Sequence, residues 1–345
     1  MSAGDDQDRA VATLRRVAFL LEREQASRYR CEAYRSAART VERQDPARLR
    51  ALAAAGALDD LPAVGASTAQ VVSRALDGRP VPTLDELEAR AAERDAQTSE
   101  AGAALHAALR GDLHTHTDAS DGATSVQEMV LAALGLGREY LAVTDHSPRL
   151  TVAHGLSPAR LRAQLAQLAA LRPAVAPFEV LSGIEVDILD DGTLDQDPDL
   201  LDELDVVVAS VHSKLRMDRA AMTRRMIGAV RDPRTDVLGH CTGRQVAGKH
   251  RPPSEFDARA VFDACAEHGV AVEINCRPDR LDPPHELLAI AVDAGCEFTI
   301  DSDAHAPGQL DWLRVGCERA AAHGIGADRV VTTRPAVDVA RRGRR

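Results

Sequence analysis

From position 111 onward, short apolar runs recur and stop on a histidine or an acid, and this alternation constrains the fold more than any other feature. The runs Tyr140–Val143, Phe178–Leu181, Val206–Val211, Val237–Leu238, Val270–Ile274 and Glu297–Ile300 are separated by helical stretches such as Pro158–Leu171 and Glu255–His268. With a short first strand at Asp112–His116 they make seven strands. Strands alternating with helices build a parallel sheet covered by helices, and this count predicts closure into an α/β barrel. In such barrels chemistry gathers at the C-terminal ends of the strands, which is where the histidines and acids fall here.

Four patches concentrate that chemistry: Asp112-Leu-His-Thr-His116, Thr144-Asp-His146, Val211-His212 and Asp301-Ser-Asp-Ala-His305. Residues i and i+2 of an extended strand point to the same side, so His114 with His116, and Asp303 with His305, can grip one ion. A lone His-x-His is weak evidence, but recurrence at successive strand ends is not. Walking those ends gives His114, His116, Asp121, His146, Glu185, His212, His240, Asp303 and His305. Nine nitrogen and oxygen donors exceed what one tetrahedral zinc takes and suit two or three divalent ions such as Zn, Mn or Fe.

A carboxylate has two oxygens, which makes Glu185, in Gly183-Ile-Glu-Val-Asp187, the candidate bridge between ions; its alternative role is a strand-end cap. The alternative for Asp121, in Ser120-Asp-Gly122, is a turn former. Asp145 is expected to orient a ligand histidine rather than to bind metal. Paired ions acidify a coordinated water and clamp the charge of a phosphoryl transition state, so no serine or cysteine nucleophile is required. Arg244 and Arg280, then Lys214 and Arg277, are placed to meet a phosphate; the alternative for all four is solvated surface charge. His106, His154, His250, His268, His285 and His323 lack a partner pattern and are expected at the surface.

Residues 1–94 read as a helical domain with no β-branched alternation, 95–110 as a polar, alanine-rich connector, and 111–345 as the barrel. Within Val11–Leu21, Leu14, Val17, Ala18 and Leu21 share one helical face. Between positions 9 and 50 stand eleven arginines and five acids, whereas 51–100 carry four and nine, so the first half could face phosphates and the second is less suited to do so. Leu61-Pro-Ala-Val-Gly-Ala-Ser67 leading into Thr68–Leu76 reads as a helix-hairpin-helix turn that lets backbone N–H groups receive an anion, or as an ordinary interhelical turn. The net charge of −11 argues against a protein that coats nucleic acid indiscriminately. The six cysteines show no CxxC spacing and are expected as small buried hydrophobes in a reducing compartment. With no apolar run near the ~20 residues of a membrane helix, the chain is expected in the cytoplasm with no membrane partner.

The segments Gly111-Asp-Leu-His-Thr-His-Thr-Asp-Ala-Ser-Asp-Gly122, Ala142-Val-Thr-Asp-His-Ser147, Ser182-Gly-Ile-Glu-Val-Asp-Ile-Leu189, Ala209-Ser-Val-His-Ser213, Leu238-Gly-His-Cys-Thr-Gly-Arg244, Glu273-Ile-Asn275 and Asp301-Ser-Asp-Ala-His305 resemble, in order and spacing, the motifs of the polymerase and histidinol phosphatase (PHP) domain. The resemblance covers residues 111–335 and implies a distorted seven-stranded (β/α) barrel, a trinuclear metal centre held by the nine residues above, and phosphoester hydrolysis. Asp121 stands where some members have a nearby histidine. The nearest resemblance is to the PHP modules of bacterial family X DNA polymerases, whose N-terminal domain is similar to Cys31–Thr40 and Leu61–Leu76 here. No polymerase palm lies between the two regions, so polymerisation is not expected. Ala63 and Ala66 depart from the usual hairpin glycine and lysine. The expected activity is metal-dependent phosphoester hydrolysis on DNA ends or nucleotides, as a 3′–5′ exonuclease or phosphatase, with DNA met through the N-terminal domain. The alternatives are a small-molecule phosphatase, such as one for histidinol phosphate, and a non-catalytic DNA-binding module.

Overall fold

The computed structural model describes residues 3–248 and 250–340, so Lys249 lies outside it. The chain divides into two compact units, Met1–Thr98 and Ser99–Arg345.

The first unit is helical: α1 (Ala3–Arg23), α2 (Arg28–Glu42), α3 (Pro46–Ala55), α4 (Ala66–Leu76) and α5 (Pro82–Asp95). Leu14, Val17, Ala18 and Leu21 are buried together with Val41, Leu49, Val72, Leu76 and Leu87 in its core. Helix α3 is delimited by its own sequence: the Asp45 carboxylate accepts from the Arg48 N–H ahead of Pro46, and Gly56 ends it in the left-handed region at φ 68°. In the turn before α4, Ala63 adopts φ 60°, the conformation a glycine takes without strain. The Gly65 N–H there is already donated to the Thr68 hydroxyl at 2.9 Å.

The arginine surplus is largely consumed inside this unit. Arg9 and Arg50 meet Asp6, Arg15 meets Glu42, Arg16 Glu88, Arg23 Asp95, Arg35 Glu22 and Arg39 Glu32. Arg28, Arg30, Arg43 and Arg48 remain as exposed guanidiniums without an acidic partner among the described residues.

The second unit opens with α6 (Glu100–Ala108), then runs β1 (Gly111–Asp112), α7 (Val126–Gly135), β2 (Tyr140–Val143), α8 (Pro158–Val175), β3 (Glu179–Asp187), α9 (Pro198–Leu201), β4 (Val206–Ser210), α10 (Arg219–Val230), β5 (Val237–Leu238), α11 (Ala258–His268), β6 (Ala271–Asn275), α12 (His285–Asp293), β7 (Phe298–Asp301), α13 (Leu313–Ala322) and α14 (Ala336–Val339). Helix α6 falls within the expected connector, yet Leu105 and Leu109 are buried in the barrel unit's core and Glu318 of α13 accepts from the Ser99 N–H at 3.0 Å. All seven strands are parallel and neighbour one another in chain order.

Period-two alternation divides each strand between two environments. Ile184, Val186, Val207, Ala209, Val272, Ile274 and Ile300 face the helical layer, while Tyr140, Ala142, Leu181, Val206, Val208, Val237 and Ala271 fill the lumen. Further along the lumen-facing rows come Glu185, Glu273 and Asp301, all buried. The barrel therefore turns from apolar to acidic toward its C-terminal mouth.

Closure between β1 and β7 uses side chains in place of ladder bonds. The Leu113 N–H donates to Asp301 at 2.9 Å, the Ser302 hydroxyl donates to Asp112, and beyond them the His116 N–H reaches the Ala304 carbonyl at 2.8 Å. Burial raises the Asp112 carboxyl to about 6, and burial beside Asp112 and Glu273 puts Asp301 well above the carboxylate range.

Helix α13 packs against β6 and β7 at Gly316, where an added Cβ would lie 2.3 Å from Cys276 Sγ and 2.6 Å from Ile300 Cγ2. Gly316→Ala is expected to cost about 1–3 kcal/mol of stability through overpacking, read as a lower urea midpoint; an unchanged midpoint would show that the layer yields freely. All six cysteines are buried and unbridged, and among the described residues no helix is long and apolar enough to cross a membrane.

Candidate metal centre

Every donor named from the sequence reaches one pocket at the mouth of the barrel. Glu185, at the inward row of β3, stands in the middle. Its Oε1 lies 2.8 Å from His240 Nε2 and 3.1 Å from His212 Nε2; its Oε2 lies 2.8 Å from His146 Nδ1, 3.3 Å from His114 Nε2 and 3.6 Å from His116 Nε2. On one flank Asp121 Oδ1 is 3.3 Å from His305 Nε2 and 3.5 Å from His146 Nε2. On another Asp303 Oδ1 is 3.4 Å from His116 Nε2 and 4.0 Å from His114 Nε2.

Donor atoms cluster within 4.8 Å of one another in four overlapping groups: His116, Asp121, His146 and His305; His114, His240 and Asp303; His114, His116 and Glu185; His146, Glu185 and His212. The pocket is deep at His114, His116 and His240 and opens on the side of Asp121, 32% exposed at its side chain, and His305, at 19%.

The backbone reaches this arrangement differently from the extended-strand expectation. Strand β1 ends at Asp112, and His114 and His116 lie on its continuation, held by Thr115 pairing with Ala304. Asp303 takes φ 52°, a left-handed turn just past β7, so Asp303 and His305 converge through a bend rather than a shared strand face.

Electrostatics follow from burial and crowding. Burial pulls the His114 imidazole down, but Glu273, Glu185 and Asp303 outweigh it and hold it well above the histidine range. The same balance of burial against Glu185 and Asp187 puts His212 at about 9. His116 goes the other way, depressed by burial and by His305 and His146, and His240 is depressed by burial and Arg280. Glu185, Asp121 and Asp303 remain ionised well below the carboxylate range, because the surrounding histidines and, for Asp303, Arg277 overcome the cost of burial.

Three carboxamide or carboxylate groups beside the donors escaped the sequence reading. Asp187 binds His212 Nδ1, Glu273 Oε1 lies 2.6 Å from His114 Nδ1, and Asn275 Nδ2 donates to Asp303 at 3.1 Å. Their signal was present: Glu185 with Asp187, and Glu273 with Asn275, share the i, i+2 spacing that singled out His114 and His116.

Asp145 does not meet a histidine. Its carboxylate accepts from the Thr117 N–H at 2.8 Å, the Thr117 hydroxyl at 2.6 Å, Ser120 and Gln164 of α8, which ties down the loop that delivers Asp121. Arg280 Nε lies 3.4 Å and Arg277 Nη1 3.6 Å from Asp303, and Nε and Nη1 of Arg280 are buried without a hydrogen-bond partner. Arg244 instead donates to the backbone carbonyls of Arg280 and Leu281, and Lys214 pairs with Asp190 in an exposed contact.

The donor chemistry fits transition-metal ions. Nε2 of His114, His116 and His212, Nδ1 of His146 and Oε2 of Glu185 are buried with no hydrogen-bond partner, a cost that coordination would remove. Nδ1 of His114, His212 and His305 is engaged by Glu273, Asp187 and the Asp303 carbonyl, which leaves each Nε2 as the ring nitrogen a metal ion would take.

Several known proteins are similar to this chain. The PHP domain family model matches residues 112–311. The DNA polymerase/3′-5′ exonuclease PolX of Bacillus subtilis (strain 168) is 37% identical over 231 residues, 67% of this chain but 40% of that protein. A protein of Thermoanaerobacter sp. (strain X514), named a probable phosphatase, is 30% identical over 205 residues, 56% of this chain and 78% of its own. Among solved structures, a histidinol phosphate phosphatase from Lactococcus lactis, complexed with zinc, L-histidinol and phosphate, aligns at 19% identity and a TM-score of 0.45 over 63% of this chain and 94% of that one.

Proposed function

The chain belongs to the PHP domain family, and from that premise we propose that it is a metal-dependent phosphoesterase acting on DNA ends or nucleotides, as a 3′–5′ exonuclease or phosphatase. The observation that carries the reading is the convergence of unpartnered histidine nitrogens on the Glu185 carboxylate, beside two arginines turned toward Asp303. His114, His116, Asp121, His146, Glu185, His212, His240, Asp303 and His305 hold two or three divalent ions, Zn, Mn or Fe. When bound, such ions acidify water and neutralise phosphoryl oxygens. Arg280 and Arg277 bind the non-bridging oxygens of the phosphate and orient it over the pocket. Arg244 acts through them, fixing by its two carbonyl contacts the loop that presents Arg280. Asp145 positions Asp121 through Thr117 and Ser120. Substrate approaches from the open side at Asp121 and His305.

The DNA reading is supported by the name of the Bacillus subtilis relative and by the four unpaired arginines of the helical unit; because this chain covers only 40% of that relative, its activity is not carried over whole. The Ala63 turn keeps a hairpin-like bend, but Thr68 occupies one of the N–H groups an anion would use. A small-molecule phosphatase is the second reading, supported by relatives named as phosphatases and by the internal pairing of most arginines. Purified, manganese-loaded protein offered a 3′-recessed DNA duplex and histidinol phosphate decides between them. Shortening of the recessed strand with little phosphate release from histidinol phosphate is expected, and the converse favours the second reading. Elemental analysis should find two or three transition-metal ions per chain, and one or none overturns the multinuclear centre.

Metal uptake should depend on pH. In the metal-free protein His212 is protonated up to about 9, and a cation must displace that proton. Apparent affinity is therefore expected to rise as pH increases toward about 9, with acid released on binding in weakly buffered solution. The raised value also stabilises the metal-free fold below the ordinary histidine pKa of about 6.5, a contribution lost as pH climbs through about 9. Isothermal titration in buffers of different ionisation heat counts the protons, and an affinity flat from neutrality upward would contradict the assignment of His212.

A further inference from the structure

We infer that Glu273 is the positioning residue for one particular ion of the centre, the one within reach of His114, His240 and Asp303, and that it acts by accepting hydrogen bonds on both carboxylate oxygens at once. The inference rests on the metal-centre reading above. Glu273 is fully buried on β6 and belongs to none of the four donor groups, so it is not itself a ligand. Two of its contacts nevertheless end on a ligand, and the third reaches one through Asn275. Oε1 lies 2.6 Å from His114 Nδ1; Oε2 accepts from the backbone N–H of His240 and, at 3.2 Å, from Asn275 Nδ2, whose amide also donates to Asp303 at 3.1 Å.

One carboxylate thus sets the ring of the first ligand, the backbone of the second and, through Asn275, the rotamer of the third. The bond to Nδ1 requires that nitrogen to be the donor, which leaves Nε2 of His114, the atom facing Glu185 and Asp303, as the one available to an ion. No contact of Glu273 reaches Asp121, His146, His212 or His305 among the described residues, and of the His114, His116 and Glu185 group it touches His114 alone, so the His114, His240 and Asp303 group is the one it holds at every member.

An amide cannot replace it. Glutamine keeps the volume but accepts on one atom only, and its NH2 must face either the His114 Nδ1–H or the His240 and Asn275 donors, a donor against a donor in a sealed site.

Glu273→Gln and Glu273→Ala, reconstituted with Zn or Mn beside the wild type, are expected to retain about one ion fewer per chain by elemental analysis. A chelator should withdraw that ion about 10- to 100-fold more readily while the remaining ions stay, and the donors left unpaired should also lower the melting temperature of the metal-free variants somewhat. Asn275→Ala, which leaves the buried charge in place, should show a smaller change in the same direction and serves if the Glu273 variants do not fold. Wild-type stoichiometry and chelator resistance in all variants overturn the inference alone. So does a lowered metal-free melting temperature with unchanged metal content, which would make Glu273 merely structural. A wild type that takes up no transition metal overturns the centre itself and the inference with it.

Discussion

Replacing Glu185 by glutamine is expected to lower phosphoester hydrolysis at least about a thousandfold and to strip the centre of more than one ion. Five histidines lie within 3.6 Å of its two oxygens, so no other residue joins as many parts of the pocket. The clamp that multinuclear sites place on a phosphoryl transition state is worth several kcal/mol, and each 1.36 kcal/mol is a tenfold change in rate. Glutamine removes one of the charges that raise His114, after Glu273, and the foremost one that raises His212, and leaves an NH2 pointing at ring nitrogens. The barrel should survive, because the lumen below is closed by Tyr140, Val206, Val237 and Ala271. Steady-state kinetics on the preferred substrate, with circular dichroism as the check on folding, settle the point; activity within about tenfold of wild type would mean that Glu185 does not bridge.

Arg280→Ala should cost about 10²–10³ in kcat, the usual loss when one preorganised charge partner of a transition state is removed. Two of its guanidinium nitrogens are buried without a hydrogen bond, Nε having only the 3.4 Å ion pair with Asp303, so an arriving anion would complete their pairing. Arg244→Ala should cost less and act on kcat and KM together, since Arg244 touches the loop backbone and not the pocket. A greater loss for Arg244 than for Arg280 would reverse these roles and restore Arg244 as the phosphate contact.

The barrel was legible because buried parallel strands write themselves as apolar runs, and the runs at Tyr140–Val143 and Val237–Leu238 coincide with β2 and β5 residue for residue. Strand β3 extends six residues beyond the run that announced it, because Gly183, Glu185 and Asp187 face the pocket and break the apolar signal. The pocket residues were legible for the complementary reason: a polar side chain at a strand end has no packing role to explain it. What sequence could not supply was direction. Nothing in Gly239-His-Cys-Thr-Gly-Arg244 distinguishes an arginine that bonds two carbonyls of its neighbouring loop from one that meets substrate, and nothing in Thr144-Asp-His146 reveals that Asp145 faces Thr117 and Gln164. The arginine surplus before position 50 was readable only in part for a similar reason, since Arg16 and Arg23 find their acidic partners as far away as Glu88 and Asp95, while Arg28, Arg30, Arg43 and Arg48 have none among the described residues.

The seam between β1 and β7 has a bearing on how the protein is made. Leu113 and Asp301 are bonded across 188 positions of sequence, and the loops that leave the seam carry His114 and His116 on one side and Asp303 and His305 on the other. During synthesis, a chain that has emerged only through β6 displays most of its chelating side chains with nothing to close over them. The set is completed late, when residue 305 has cleared the ribosome and the two edges meet. Metal delivered before that moment meets an open and incomplete cluster, so the full nine-donor site exists only once the last strand and the turn after it are in place.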